Sequence, residues 1–64
     1  MATIKLILPD DPLRNGYVVE GVKLDYDTLF NGNSTPDGYF RYLDPIDNEN
    51  YFLVGPGEYE VVEA

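Results

Sequence analysis

Sixty-four residues carry twelve Asp and Glu against four Lys and Arg, a formal net charge of −8, with no cysteine and no histidine. That inventory excludes disulfide staples, thiolate zinc sites, imidazole-ligated metals and any serine nucleophile that needs a histidine base. It also disfavours direct nucleic-acid binding, because gripping phosphate requires the opposite charge balance.

A chain this short buries only about 60% of the surface its unfolded form exposes. The apolar fraction of 44% and the nine aromatics, six Tyr and three Phe, are nevertheless those of a folded protein. The expectation is one small β domain over residues 1–64, modest in stability and strengthened by salt, since charges of one sign repel in the compact state.

In chain order the apolar pattern has the period of strands. "TIKLIL" (3–8) sets Ile4, Leu6 and Leu8 against Thr3, Lys5 and Ile7, as a half-buried strand does. This amino-terminal apolar run is too short for a signal-peptide core or a membrane span, so a cytoplasmic location is expected. "PDDPLRNG" (9–16) holds two prolines and an Asn-Gly pair and reads as a loop ending in a tight turn. In "YVVEGVKL" (17–24) Tyr17 and Val19 share one parity while Val22 and Leu24 have the other, which predicts a β-bulge at Gly21. "DYDTLFNGNSTPDG" (25–38) reads as a long surface loop, with Asp25 or Asp27 placed to cap a helical turn through Leu29 and Phe30. "YFRYL" (39–43), "YFLV" (51–54) and "EYEVVE" (58–63) are three further strands, the first two a hairpin and the last two parted by "GPG" (55–57).

Five short strands in about sixty residues predict an all-β fold, a small five-stranded antiparallel barrel of the SH3-like kind. A truncated OB-like barrel or an open meander is the alternative. Two stretches resemble SH3 sequences: "LDYDTL" (24–29) is similar to the Ala-Leu-Tyr-Asp-Tyr stretch, and "GPGEYEVV" (55–62) to the closing Pro-x-x-Tyr-Val. A strand pair precedes the first stretch here and the chain has no Trp, so no membership and no proline-peptide function is carried over.

The stretch richest in chemistry is "DPIDNENYFLV" (44–54). Asp44, Asp47, Asn48, Glu49 and Asn50 offer oxygen ligands of the kind a hard cation takes. The loop has no glycine, and its Asp44–Asp47 spacing departs from the alternate positions of a calcium loop. The composition is also that of an ordinary hairpin turn. In "NGNSTPDG" Asn31, Asn33, Thr35 and Asp37 alternate more regularly but carry one formal charge. No metal and no cofactor is expected. The one serine, Ser34, lacks a base, and carboxylate pairs such as Asp10/Asp11 need a deep cleft that so short a chain hardly forms, so no enzymatic activity is expected.

Charge is uneven along the chain. Residues 1–41 hold four cations and six acids, net −2; residues 42–64 hold six acids and no cation, net −6. Glu58 and Glu60 share a strand face and Glu63 extends the line, so with the 44–50 loop they are expected to form a continuous negative patch interleaved with Tyr39, Tyr51 and Tyr59. Such a patch either solvates and protects an edge strand or docks on a basic partner. The expected function is a non-enzymatic module that binds a basic surface of a larger protein. Its charges would be Asp44, Asp47, Glu49, Glu58 and Glu60, and its anchors Tyr51 and Tyr59. The sharpest form is a phosphate-mimicking inhibitor of a nucleic-acid enzyme, as small acidic proteins of phages and mobile elements are, acting in the host cytoplasm if viral. The alternative is a small structural subunit or decoration protein of a larger assembly, whose partner supplies the missing burial.

Overall fold

Alternating apolar residues become strands when one face of each is buried, and burial follows that alternation in the strands over residues 2–6 and 39–43. The computed structural model describes residues 1–24, 29–30, 33–34 and 38–64. Strands β1 (Ala2–Leu6), β2 (Val18–Leu24), β5 (Tyr39–Leu43), β6 (Tyr51–Val54) and β7 (Tyr59–Glu63) form one sheet in the order β6-β5-β2-β1-β7. Every pairing in it is antiparallel. The class is all-β, as expected, with five antiparallel strands in a single sheet. Between β2 and β5, β3 (Leu29–Phe30) pairs with β4 (Asn33–Ser34). The helical turn expected through Leu29 and Phe30 is therefore replaced by a short ladder, and the capping role of Asp25 or Asp27 lies outside the described residues. Of the oxygen-rich 31–37 stretch, Asn33 sits in β4, while Asn31, Thr35 and Asp37 also lie outside them.

The topology is a four-stranded meander with the last strand returned beside the first. Neighbouring strands lie about 4.8 Å apart, so in a flat sheet β7 would stand three spacings, about 14 Å, from β5. Yet the ring of Tyr59 on β7 lies 4.8 Å from that of Phe40 on β5, and the Tyr59 hydroxyl donates to the Gly38 carbonyl at 2.9 Å. The sheet is rolled inward, and β6 and β7 remain its two edges.

Ile4, Leu6, Phe40, Tyr42 and Val54 form the core inside that roll, with Ala2, Leu8, Val19 and Tyr59 packed against it. Gly21 is the pivot. Residues 18–21 of β2 pair with β1 while 21–24 pair with β5, so Gly21 is opposite both Ala2 and Tyr42. The buried parity changes there, from Val19 and Gly21 to Val22 and Leu24. Neither ladder slips at Gly21, however, so the predicted bulge is instead a hand-over between partners. The irregularity lies between Thr3 and Ile4 on β1, where β7 advances one residue too many between Val61 and Glu63. A Cβ on Gly21 would meet Ile4 Cδ1 at 3.1 Å and Phe40 Cβ at 3.3 Å, which is why the pivot has no side chain. Among the described residues no helix is long and apolar enough to cross a membrane.

Candidate functional site

Two loops meet at one end of the roll. In the first, the Asp11 carboxylate accepts from the Leu13 amide at 3.2 Å, and its carbonyl accepts from the Arg14 and Asn15 amides at 3.1 and 2.9 Å. This is one tight turn held by an aspartate at its start, and it points Arg14 toward the β5–β6 connection. Gly16, at φ 89°, then reverses the chain into β2.

In the second loop, the Asp44 amide donates to the Asn50 carbonyl at 2.8 Å and closes the β5–β6 hairpin. The Asp44 side chain has 0% exposure. Arg14 grips it with two parallel bonds, Nε to Oδ1 at 3.0 Å and Nη2 to Oδ2 at 2.8 Å, and the Ile46 amide adds a third at 3.2 Å. Arg14 also donates Nη1 to Asp11 Oδ2 at 3.3 Å, and its guanidinium lies 5.4 Å from the centre of the Phe52 ring. The fork geometry is the strong form of the carboxylate–guanidinium bond. Its side-chain hydrogen bond to Arg14 holds the Asp44 carboxyl below the usual carboxylate range, more than offsetting burial. Tyr42, beside this cluster, is pushed up chiefly by burial, with Arg14 opposing.

Asp47 holds the tip of the turn. Its Oδ1 accepts from the Glu49 amide at 2.8 Å and the Asn50 amide at 3.2 Å, and its Oδ2 from the Asn50 side chain at 2.8 Å. Those bonds lower its pKa. Asn48 takes the left-handed conformation, φ 56°, that asparagine tolerates. The polar residues of "DPIDNEN" thus bond chiefly to their own turn and to Arg14. Among the described residues no group of three or more His, Cys, Asp or Glu is placed to hold a metal ion.

The seven residues expected on one patch lie in different settings. Asp44 is buried and cannot present charge at a surface. Asp47 and Glu49 are exposed on the β5–β6 turn. Tyr51 is exposed on β6 beneath Arg41, whose guanidinium lies 4.9 Å from its ring centre. Tyr59 points into the roll. Glu58 and Glu60 are exposed on and beside β7, with one Glu58 carboxylate oxygen accepting from the Gly55 amide at 3.1 Å. β6 and β7 are the two edges of the rolled sheet, so Asp47, Glu49 and Tyr51 come from one edge and Glu58 and Glu60 from the other.

The outer face of β2, β1 and β7 carries a different acidic set. Because Ile4 and Leu6 point inward, Thr3, Lys5 and Ile7 point outward. Across the strands, Lys5 lies between Val18 and Glu60, and Thr3 between Glu20 and Glu63; the Ile7 amide bonds the Glu58 carbonyl. Glu20, Glu58, Glu60 and Glu63 therefore share one face with Lys5 as its cation. Thr3 Oγ1 donates to Glu20 at 2.9 Å. Ion pairs among the described residues all use Arg14, so none of these four carboxylates is in one. Glu20 was missed from the sequence because it is remote from the acidic carboxyl-terminal third and reaches the face only through β1. Its legible signal was its odd place as a charge in the apolar run "YVVEGV".

A shallow hollow of about 210 Å³ beside the ion pair is lined by Leu8, Asp11, Arg14, Tyr42, Phe52 and Leu53. Its charges already satisfy one another. Compared with known proteins, the chain matches no family model, no curated protein and no solved structure.

Proposed function

We propose that the protein is a non-enzymatic binding module whose glutamate face docks on a basic surface of a larger protein, acting in the cytoplasm. The observation that supports this reading is the outer face of β7, β1 and β2, where Glu20, Glu58, Glu60 and Glu63 surround a single lysine and no described ion pair neutralises them. Rigid strands hold the charges, so their spacing is set before a partner arrives, and a fixed negative field speeds and orients the encounter. In its sharpest form the face imitates nucleic-acid phosphates and blocks an enzyme that handles them, as an inhibitor from a phage or mobile element would. Asp47 and Glu49 add charge from the β5–β6 turn, and Tyr51 is the exposed aromatic anchor.

The test is capture from a lysate at low salt, with the Glu58→Lys/Glu60→Lys variant alongside. One basic nucleic-acid enzyme, released by salt or by added DNA and absent with the variant, is the expected result. Equal capture by the folded variant overturns the reading.

A second reading, a small structural subunit or decoration protein, draws on Leu13, Val18, Val61 and Val62, which are 47–69% exposed and which an assembly partner would bury. Capture of an assembly that resists both salt and DNA supports it.

A further inference from the structure

The ladder between β1 and β7 decides which backbone groups of β7 remain free. The Ile7 amide donates to the Glu58 carbonyl, and in an antiparallel pair the bonded residues alternate. The Glu58 carbonyl and the backbone of Glu60 thus turn toward β1, while the Glu58 amide closes the preceding turn on the Gly55 carbonyl, and Tyr59 and Val61 turn their backbone outward. Among the described residues β7 has a neighbour on one side alone. Its outer side offers N–H and C=O groups that no described strand pairs, and Val61 and Val62 beside them are 47% and 57% exposed.

The two faces at this edge differ in chemistry. The outer one bears Glu58, Glu60 and Glu63. On the inner one, an open and mainly apolar hollow of about 330 Å³ is lined by Met1, Ala2, Lys23, Phe40, Val61 and Ala64. A strand laid against β7 would point successive side chains alternately over glutamates and into an apolar hollow. We infer that the edge of β7 takes an extended segment of the partner with alternating basic and apolar side chains, added to the sheet as a further strand. This inference rests on the acidic docking face proposed above and specifies its geometry. Strand addition draws affinity from main-chain bonds and selectivity from alternate side chains. A second copy of this chain is the wrong occupant, because pairing two β7 strands sets three glutamates against three more.

The probe is a synthetic peptide of about ten residues alternating Lys and Val, with a Glu–Val peptide as control. Adding the Lys–Val peptide should slow amide exchange at Tyr59 and Val61, and binding should weaken about tenfold or more between low and high salt. The Val61→Pro variant removes an outward-facing N–H and leaves the β1 ladder intact, so it should fold and lose affinity about tenfold or more. Unchanged affinity in Val61→Pro, or unchanged exchange at both amides of the wild-type protein, overturns the inference. Should Val61→Pro fail to fold, the wild-type exchange measurement decides alone. Self-association that Val61→Pro abolishes overturns it also, by making a second copy the occupant. Binding lost in Glu58→Gln/Glu60→Gln but kept in Val61→Pro overturns strand addition while leaving the acidic docking face standing.

Discussion

A carboxylate with no exposure persists only where its oxygens are used, and Asp44 meets that condition with two bonds from Arg14 and one from Ile46. The two partners are unequal, since the Arg14 side chain keeps 24% exposure while Asp44 has none. Arg14→Met therefore strands a charge that water cannot reach, whereas Asp44→Asn leaves a cation that water can. We expect Arg14→Met to lower Tm by roughly 10 °C or more and Asp44→Asn by less, measured by circular dichroism. The same pair gives a pH dependence of known sign. Asp44 and Asp47 are held below the ordinary carboxylate value when folded and regain it when unfolded. Their contribution is complete above the unfolded value and is lost as pH falls through the folded ones, so the decline begins near pH 4–5 and continues downward. The urea midpoint of the wild type should fall from pH 7 to pH 3, and more steeply than that of Asp44→Asn. Equal slopes would refute the assignment.

Elements were legible where a two-residue period met a single buried face. The strands predicted over 39–43 and 51–54 have those bounds in the structure; in the first, buried Phe40 and Tyr42 alternate with exposed Arg41 and Leu43, and the second runs from exposed Tyr51 to buried Val54. β1 ends at Leu6, two residues before the predicted Leu8. The run "DYDTLF" misled, because Asp before an apolar pair suits a cap as well as a turn. The better signal was Asn31-Gly32 between the two short strands, the pair that hairpins favour. The β6–β7 turn holds a further constraint: a Cβ on Gly55 would stand 2.9 Å from Tyr39 Cζ. That ring is rigid and its backbone is fixed opposite Leu24. Gly55→Ala should cost about 1–3 kcal/mol in denaturant unfolding. A neutral result would mean the ring has room to move aside.

For the whole molecule, a charge of −8 on 64 residues makes repulsion a global property, and neither ion pair of Arg14 touches the glutamates of the outer face. Raising NaCl from about 20 to about 500 mM shortens the screening length several-fold and should raise Tm by a few degrees. A Tm that falls would mean the Arg14 pairs outweigh the repulsion. Glu58 and Glu60 were legible as a shared face because strand parity is a local property. Asp44 was not legible as buried, because its partner is 30 residues away and only the meeting of two loops brings them together. Composition and periodicity by themselves determined the all-β class, the five main strands, the acidic character and the absence of thiol and imidazole chemistry. Strand order, the roll of the sheet, the Arg14–Asp44 pair and the place of Glu20 were decided by tertiary structure alone. Periodicity says which side of a strand is buried, whereas the neighbours of that strand depend on contacts between residues distant in the chain.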